Sequence, residues 1–186
     1  MSKQALTDES RVYVACLGCY NDGTLRGTHM TAEQLSDAWH EGLASSVCDE
    51  PNHDEWAIHD YDGDIARCGL GEHPDIEGLI ALMETIDSDP ATMVAAFMLA
   101  DDLLGSIPTA EQVEQVAERM EVIEDRAEWA EETMGDCGMV PRDLPGVIAS
   151  NINWDAIGQE ILTHDYHTIE YGYYTYALHV GEEVDA

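Results

Sequence analysis

The chain has 186 residues, of which 39 are Asp or Glu and 7 are Lys or Arg, giving a formal net charge of −32. A field of that sign repels nucleic acid and anionic membranes and draws basic partners from a distance. With 45% hydrophobic residues the chain can nevertheless build a core, which excludes a disordered acidic tail.

Residues 1–10 are polar and predicted to fray. Residues 11–20 (RVYVACLGCY) are β-branched and apolar and read as the first strand. Asn21, Asp22 and Gly23 supply turn chemistry after it. Thr31 reads as an N-cap with Gln34 in the capping-box position, opening a helix whose apolar side is Leu35, Ala38, Trp39 and Leu43. Residues 55–61 (EWAIHDY) read as a second strand, so the first unit is a small α/β fold ending near Gly71. Residues 68–118 contain no Lys or Arg. Within them Ile76, Leu79, Ile80, Met83 and Ile86 space as one helix. Asp89-Pro90 restarts the chain, because Pro fits a first helical turn, and Met93, Val94, Phe97, Met98 and Leu99 form the next helix.

Thr109 with Gln112 caps the following segment, which is predicted as one helix over residues 111–134, stopped by Gly135 and Gly138. Val113, Val116, Met120, Ile123, Ala127, Ala130 and Met134 mark its buried face. Glu111, Glu114, Glu118, Glu121, Asp125, Glu128 and Glu132 run beside them at the same spacing. Like charges at i, i+3 and i+4 destabilise a helix by roughly 0.2–0.5 kcal/mol per pair. A chain that keeps this ladder carries a local cost, which makes the ladder a candidate surface. Pro141 and Pro145 then mark a loop, and Asn153 caps a helix through Leu162 that buries Trp154, Ile157 and Ile161. The tail alternates as a strand or a hairpin turning near Gly172 and holds Tyr166, Tyr171, Tyr173, Tyr174 and Tyr176. These tyrosines suit either a dimer surface or a half-buried sheet. The expected fold is α+β, an elongated chain of three small units: 1–71, a middle helical module over 72–108, and a C-terminal α+β unit over 109–186.

Other chemistries are weaker. Cys16-x-x-Cys19 is a metal or redox spacing, but in a strand residues three apart face opposite sides. No second CxxC or close His pair completes a tetrahedral site, so buried structural cysteines are the simpler reading. Asp60-x-Asp62-Gly-Asp64 resembles a calcium loop, yet its glycine is at the fourth position and Gly71 stands where a bidentate Glu belongs. His59 and Asp60 face opposite sides of the second strand. Trp39, Trp56, Trp129 and Trp154 are core or interface anchors. The reading therefore assigns no catalytic residue, metal or cofactor. No apolar run approaches the ~20 residues that span a bilayer, no secretory signal is recognisable, and an odd cysteine number suits a reducing cytoplasm.

Three stretches resemble the ArdA antirestriction family: residues 13–27 (YVACLGCYNDGTLRG), residues 55–63 (EWAIHDYDG), and residues 127–162, where AEWAEETMGDCGMVP leads through a proline loop to INWDAIGQEIL. The resemblance implies a homodimeric mimic of bent duplex DNA. Such proteins come from mobile elements or phages and occupy the DNA groove of type I restriction–modification enzymes in the host cytoplasm. Dimerisation is then expected through the C-terminal unit, with Met134, Met139, Val140, Tyr171 and Tyr173 as candidates. The partner-binding candidates are Glu84, Asp87, Asp101, Asp102, Glu111, Glu114, Glu118, Glu121, Asp125, Glu128, Glu131 and Glu132.

Duplex DNA carries one charge per ~1.7 Å of axis, so −32 matches roughly 54 Å of duplex, ~16 base pairs. Composition alone favours a halophile's cytosolic protein over a DNA mimic, and only the motifs reverse that order. The alternatives are an acidic protein aimed at another nucleic-acid enzyme, and a calcium- or zinc-binding module. Self-repulsion on this scale is screened by salt. The melting temperature is expected to rise between low and moderate NaCl in a thermal-shift series; a fall would contradict it.

Overall fold

The computed structural model describes residues 9–141, 143–182 and 184. All but Glu9 and Ser10 of the segment predicted to fray lie outside them.

The chain opens with β1 (Arg11–Cys16), the central strand of an antiparallel sheet between β2 (Gly27–Met30) and β3 (Trp56–Asp62). Val12 and Val14 on β1 and Ile58 on β3 are buried. The sequence reading missed β2. It is short, and Gly27 sits so close to β1 that a Cβ there would lie 2.3 Å from the Val14 carbonyl oxygen. A second departure is at the end of β1. The strand stops at Cys16 and the chain turns into α1 (Leu17–Asn21), with the Cys16 side chain accepting from the Cys19 amide. The predicted strand over 11–20 is therefore half strand and half helical turn.

Helix α2 (Ala32–Glu41) starts on the expected capping box, with Thr31 and Gln34 bonded reciprocally. It buries Leu35 and Ala38, and a short α3 (Leu43–Val47) follows. Helices α4 (Ile76–Ser88), α5 (Pro90–Leu104) and α6 (Ala110–Arg119) come next. Pro90 takes the first turn of α5 and Thr109–Gln112 form the capping box of α6, both as predicted. Helix α5 buries Val94, Ala95, Ala96, Phe97, Leu99 and Ala100, so it is apolar on several sides. One buried cluster runs from Val12 on β1 through α4, α5 and α6 to Tyr176 and Leu178 near the end of the chain.

The predicted helix over 111–134 is broken in the middle. Helix α6 ends at Arg119, β4 occupies Glu121–Ile123, and α7 runs over Arg126–Asp136. The β-branched pair Val122 and Ile123 joins β6 (Tyr174–His179), with Val122 opposite Tyr176 and Ile123 opposite Thr175. Asp125 then caps α7, accepting from the Ala127 and Glu128 amides at 2.8 and 3.0 Å. Pairing with a neighbouring strand has overridden the local helical period. Helix α7 also passes through Gly135, and the left-handed residue that follows it is Gly138, at φ 68°.

A short α8 (Gly146–Ala149) and α9 (Trp154–Asp165) lead into β5 (Tyr166–Tyr171), and β5 and β6 form the predicted hairpin around Gly172. The second sheet has the order β4-β6-β5. Ile123, Leu162 and Ala177 form a small core beside it, with Trp129 and Tyr166 packed on its edge. With two three-stranded sheets amid helices, the fold is α+β.

Helices α7 and α9 meet at Gly158, where a Cβ would stand 2.7 Å from Arg126 Cγ, 2.8 Å from the Arg126 carbonyl oxygen and 3.2 Å from Ala130 Cβ. Gly158→Val is expected to cost about 1–3 kcal/mol by overpacking, read as a lower urea midpoint. An unchanged midpoint would show that the two helices do not pack this closely.

Candidate partner-binding surface

The candidate acids fall on five elements. Glu84 and Asp87 are on α4, Asp101 and Asp102 near the end of α5, and Glu111, Glu114 and Glu118 on α6. Glu121 opens β4, Asp125 caps α7, and Glu128, Glu131 and Glu132 lie along α7. On α6 the separation of faces is complete, with Val113 and Val116 buried while Glu111, Glu114 and Glu118 are exposed. The break at 120–125 means the ladder is not one straight row, and its rungs belong to separate elements.

Several of these carboxylates hold the fold together. Asp87 accepts the Ser10 amide at 3.1 Å and the Ser10 hydroxyl at 2.6 Å, and Ser10 is fully buried. Glu121 accepts from Trp129 Nε1 at 2.7 Å and from the Tyr166 hydroxyl at 3.1 Å. Burial, with the Glu121 charge adding to it, pushes the Tyr166 phenol up to about 12. Glu114 accepts from the Thr85 hydroxyl at 3.2 Å. Glu84, Asp101, Asp102, Glu111, Glu118, Glu128, Glu131 and Glu132 are exposed.

The cations are drawn into pairs. Each described arginine stands within ion-pair range of a carboxylate: Arg11 with Glu9, Arg26 with Asp49 and Glu50, Arg67 with Asp64, Arg119 with Glu182 and Arg126 with Asp155. Three helix C-termini also run against ordinary electrostatics. The last turns of α4, α5 and α7 carry no basic residue, while Asp101 and Asp102 lie in the last turn of α5 and Asp136 closes α7. Anions at a helix C-terminus oppose its dipole, at about 0.3–1 kcal/mol each in low salt. These charges are retained at a cost to the local helix.

The predicted dimer residues differ in setting. Met139 and Tyr173 are open to solvent, at 69% and 97% exposure. Met134 and Val140 are half-buried. Tyr171 packs against the main core, with the Arg67 guanidinium 5.5 Å above its ring. Val147 and Ile148 on α8 are exposed apolar residues that the sequence reading left out. Their spacing in a four-residue helix offers no amphipathic signal.

Two other clusters bear on the sequence reading. Asp60 and Asp62 lie on β3 with His29 beside them, its Nε2 3.0 Å from Asp62, while Asp64 turns to Arg67. These acids do not wrap a calcium loop. Cys16 and Cys19 do not face opposite sides as an extended strand would place them, because α1 returns Cys19 to the side of Cys16. Cys48 and His53, which the sequence reading passed over, converge on the same point. A hydrogen bond from the Glu50 amide draws the Cys48 thiol down to about 7, while burial pushes Cys19 up to about 11. The signal was present as C-x2-C followed by C-x4-H.

Among the described residues no helix is long and apolar enough to cross a membrane. A sequence model of the antirestriction protein (ArdA) family matches residues 12–175. No match is found among curated proteins.

The division between structural and exposed acids is testable. Asp87→Ala leaves the buried Ser10 without its acceptor and is expected to cost about 1–3 kcal/mol. Glu131→Gln and Glu132→Gln are expected to stay within about 0.5 kcal/mol of the parent. Urea titrations in which Glu131→Gln destabilises as much as Asp87→Ala would refute the division.

Proposed function

The chain belongs to the ArdA antirestriction family, and from that premise we propose that it acts as a DNA mimic against type I restriction–modification enzymes. The observation that carries the proposal is the disposition of charge. The chain bears −32, its described arginines are ion-paired, and exposed carboxylates are kept even at helix C-termini that disfavour them. A groove lined with Lys and Arg to strip counterions from DNA meets the same sign of charge here, in a total equal to that of roughly 54 Å of duplex. Nothing in the protein imitates base edges, so competition is for backbone contacts and is independent of DNA sequence. Binding involves no catalysis and no cofactor.

The active form we propose is an elongated homodimer joined through the C-terminal unit, which doubles the imitated length to ~32 base pairs. Tyr173, Met139 and Val147 are exposed apolar residues of that unit that could serve it. The setting is the host cytoplasm, with a mobile element or phage as the source. Because the methyltransferase core is the target, modification would be blocked along with restriction when the same groove serves both.

A second reading, an acidic inhibitor of a different nucleic-acid enzyme, shares the charge but differs in target. A DNA-cleavage assay separates the two. The protein should inhibit a type I enzyme in proportion to dose, weaken as NaCl rises, and leave an unrelated nuclease or polymerase largely untouched. Single amide replacements such as Glu131→Gln should weaken inhibition less than about tenfold, because the field is shared over many groups. Equal inhibition of all DNA enzymes, or of none of type I, would overturn the proposal.

A further inference from the structure

The N-terminal sheet carries a second feature that the antirestriction reading does not use. At the end of β1, Cys16 and Cys19 approach Cys48, which follows α3, and His53, which precedes β3. The Cys19 and Cys48 sulfurs are 3.6 Å apart. His53 Nδ1 lies 3.6 Å from Cys16 Sγ, 3.4 Å from Cys19 Sγ and 3.7 Å from Cys48 Sγ. All four donor atoms fall within 4.8 Å of one another. Zinc–sulfur bonds of about 2.3 Å and zinc–nitrogen bonds of about 2.0–2.1 Å place tetrahedral donors about 3.8 Å (S to S) and about 3.6 Å (S to N) apart. The observed separations of 3.4–3.7 Å fit those edges, whereas a disulfide needs about 2.05 Å.

The surroundings treat the sulfurs as acceptors. The Cys19 amide donates to Cys16 Sγ at 3.4 Å and the Glu50 amide donates to Cys48 Sγ at 3.5 Å. Arg26 Nη1 donates to Cys48 Sγ at 3.8 Å and brings a positive charge beside it. His53 presents Nδ1 to the sulfurs, while its Nε2 stands 3.9 Å from the Asp22 carboxylate. At that distance the carboxylate is in ion-pair range of the ring nitrogen that does not face the sulfurs. Gly18 makes room for that ring, since a Cβ there would lie 2.6 Å from His53 Cγ. The three cysteines are 1–6% exposed, so the thiols are shielded from solvent, while His53 is half-buried. Buried cysteines packed as small hydrophobes require neither a shared focus nor amide donors aimed at their sulfurs.

We propose that Cys16, Cys19, Cys48 and His53 bind one zinc ion in a closed tetrahedral site. Three thiolates and an imidazole are soft donors that select zinc over the hard cations favoured by surface carboxylates. Four protein ligands leave no open position, so the ion is structural. It pins the end of the central strand, α1, and the 48–53 loop to one point. In a chain that repels itself this strongly, binding free energy at the site becomes folding free energy of the first sheet. The site is independent of how the protein inhibits its target.

The test uses the full chain, purified with reductant from zinc-supplemented medium, passed over a weak chelating resin and assayed for metals by plasma mass spectrometry. About one zinc per chain is expected, with Cys68→Ser and Cys137→Ser retaining it and Cys48→Ser and His53→Ala losing it. Since those last two variants can also unfold, the parent chain provides a second measurement. Cobalt added to metal-stripped, reduced protein should produce the visible bands of tetrahedral cobalt with thiolate-to-metal charge transfer, and equimolar zinc should erase them. Well under one zinc per chain with no thiolate–cobalt band would overturn the proposal. So would zinc retained undiminished by Cys48→Ser, which would place the ion on surface carboxylates. Stoichiometric iron in place of zinc would overturn the zinc assignment.

Discussion

Repulsion among the chain's acids is the constraint that everything else must satisfy. A net charge of −32 on 186 residues tends to drive the surface apart, and what opposes it is the packing around α5. That helix is buried on several sides, and the cluster it joins reaches from Val12 in the first sheet to Leu178 in the second. Apolar burial is worth roughly 25 cal/mol per Å² and is indifferent to the sign of the surface charge. The chain therefore keeps a conventional interior while the exterior is given over to carboxylates.

The parts of the fold written in local chemistry were legible in the sequence. Both capping boxes, at Thr31 and Thr109, could be placed because the cap and its partner lie three residues apart. Pro90 and the Gly172 hairpin were legible for the same reason. What escaped depended on neighbours distant in sequence. Residues 121–123 have a helical period in an acidic run but leave the helix to pair with β6. Asp125 looked like one more rung of charge, yet it is the cap that restarts the helix. Strand β2 exists because β1 offers it an edge. Cys16 and Cys19 looked incompatible only because the strand was extended past its end, and their relation to Cys48 and His53 requires the 48–53 loop to fold back.

The acids themselves divide by function. Asp87, Glu121 and Asp125 are tied to Ser10, to Trp129 and Tyr166, and to the start of α7. Sequence spacing could not separate them from Glu131 or Glu132, because the difference lies in what each carboxylate touches. A high-salt habitat would favour the same acidic exterior that the proposed mimicry requires. Family membership is what connects this surface to restriction enzymes. Imitation of a polyanion needs many groups of similar weight and tolerates the interruption at 120–125, since a bent duplex is not a single straight row of charge either.

The central claim is that protein and duplex occupy one groove. The most direct measurement is whether a type I methyltransferase core can hold both at once, followed by fluorescence anisotropy of a labelled duplex during titration with this protein. Full displacement of the duplex is expected, with an apparent inhibition constant that rises linearly with duplex concentration. A stable ternary complex, in which the duplex stays bound at saturating protein, would contradict it.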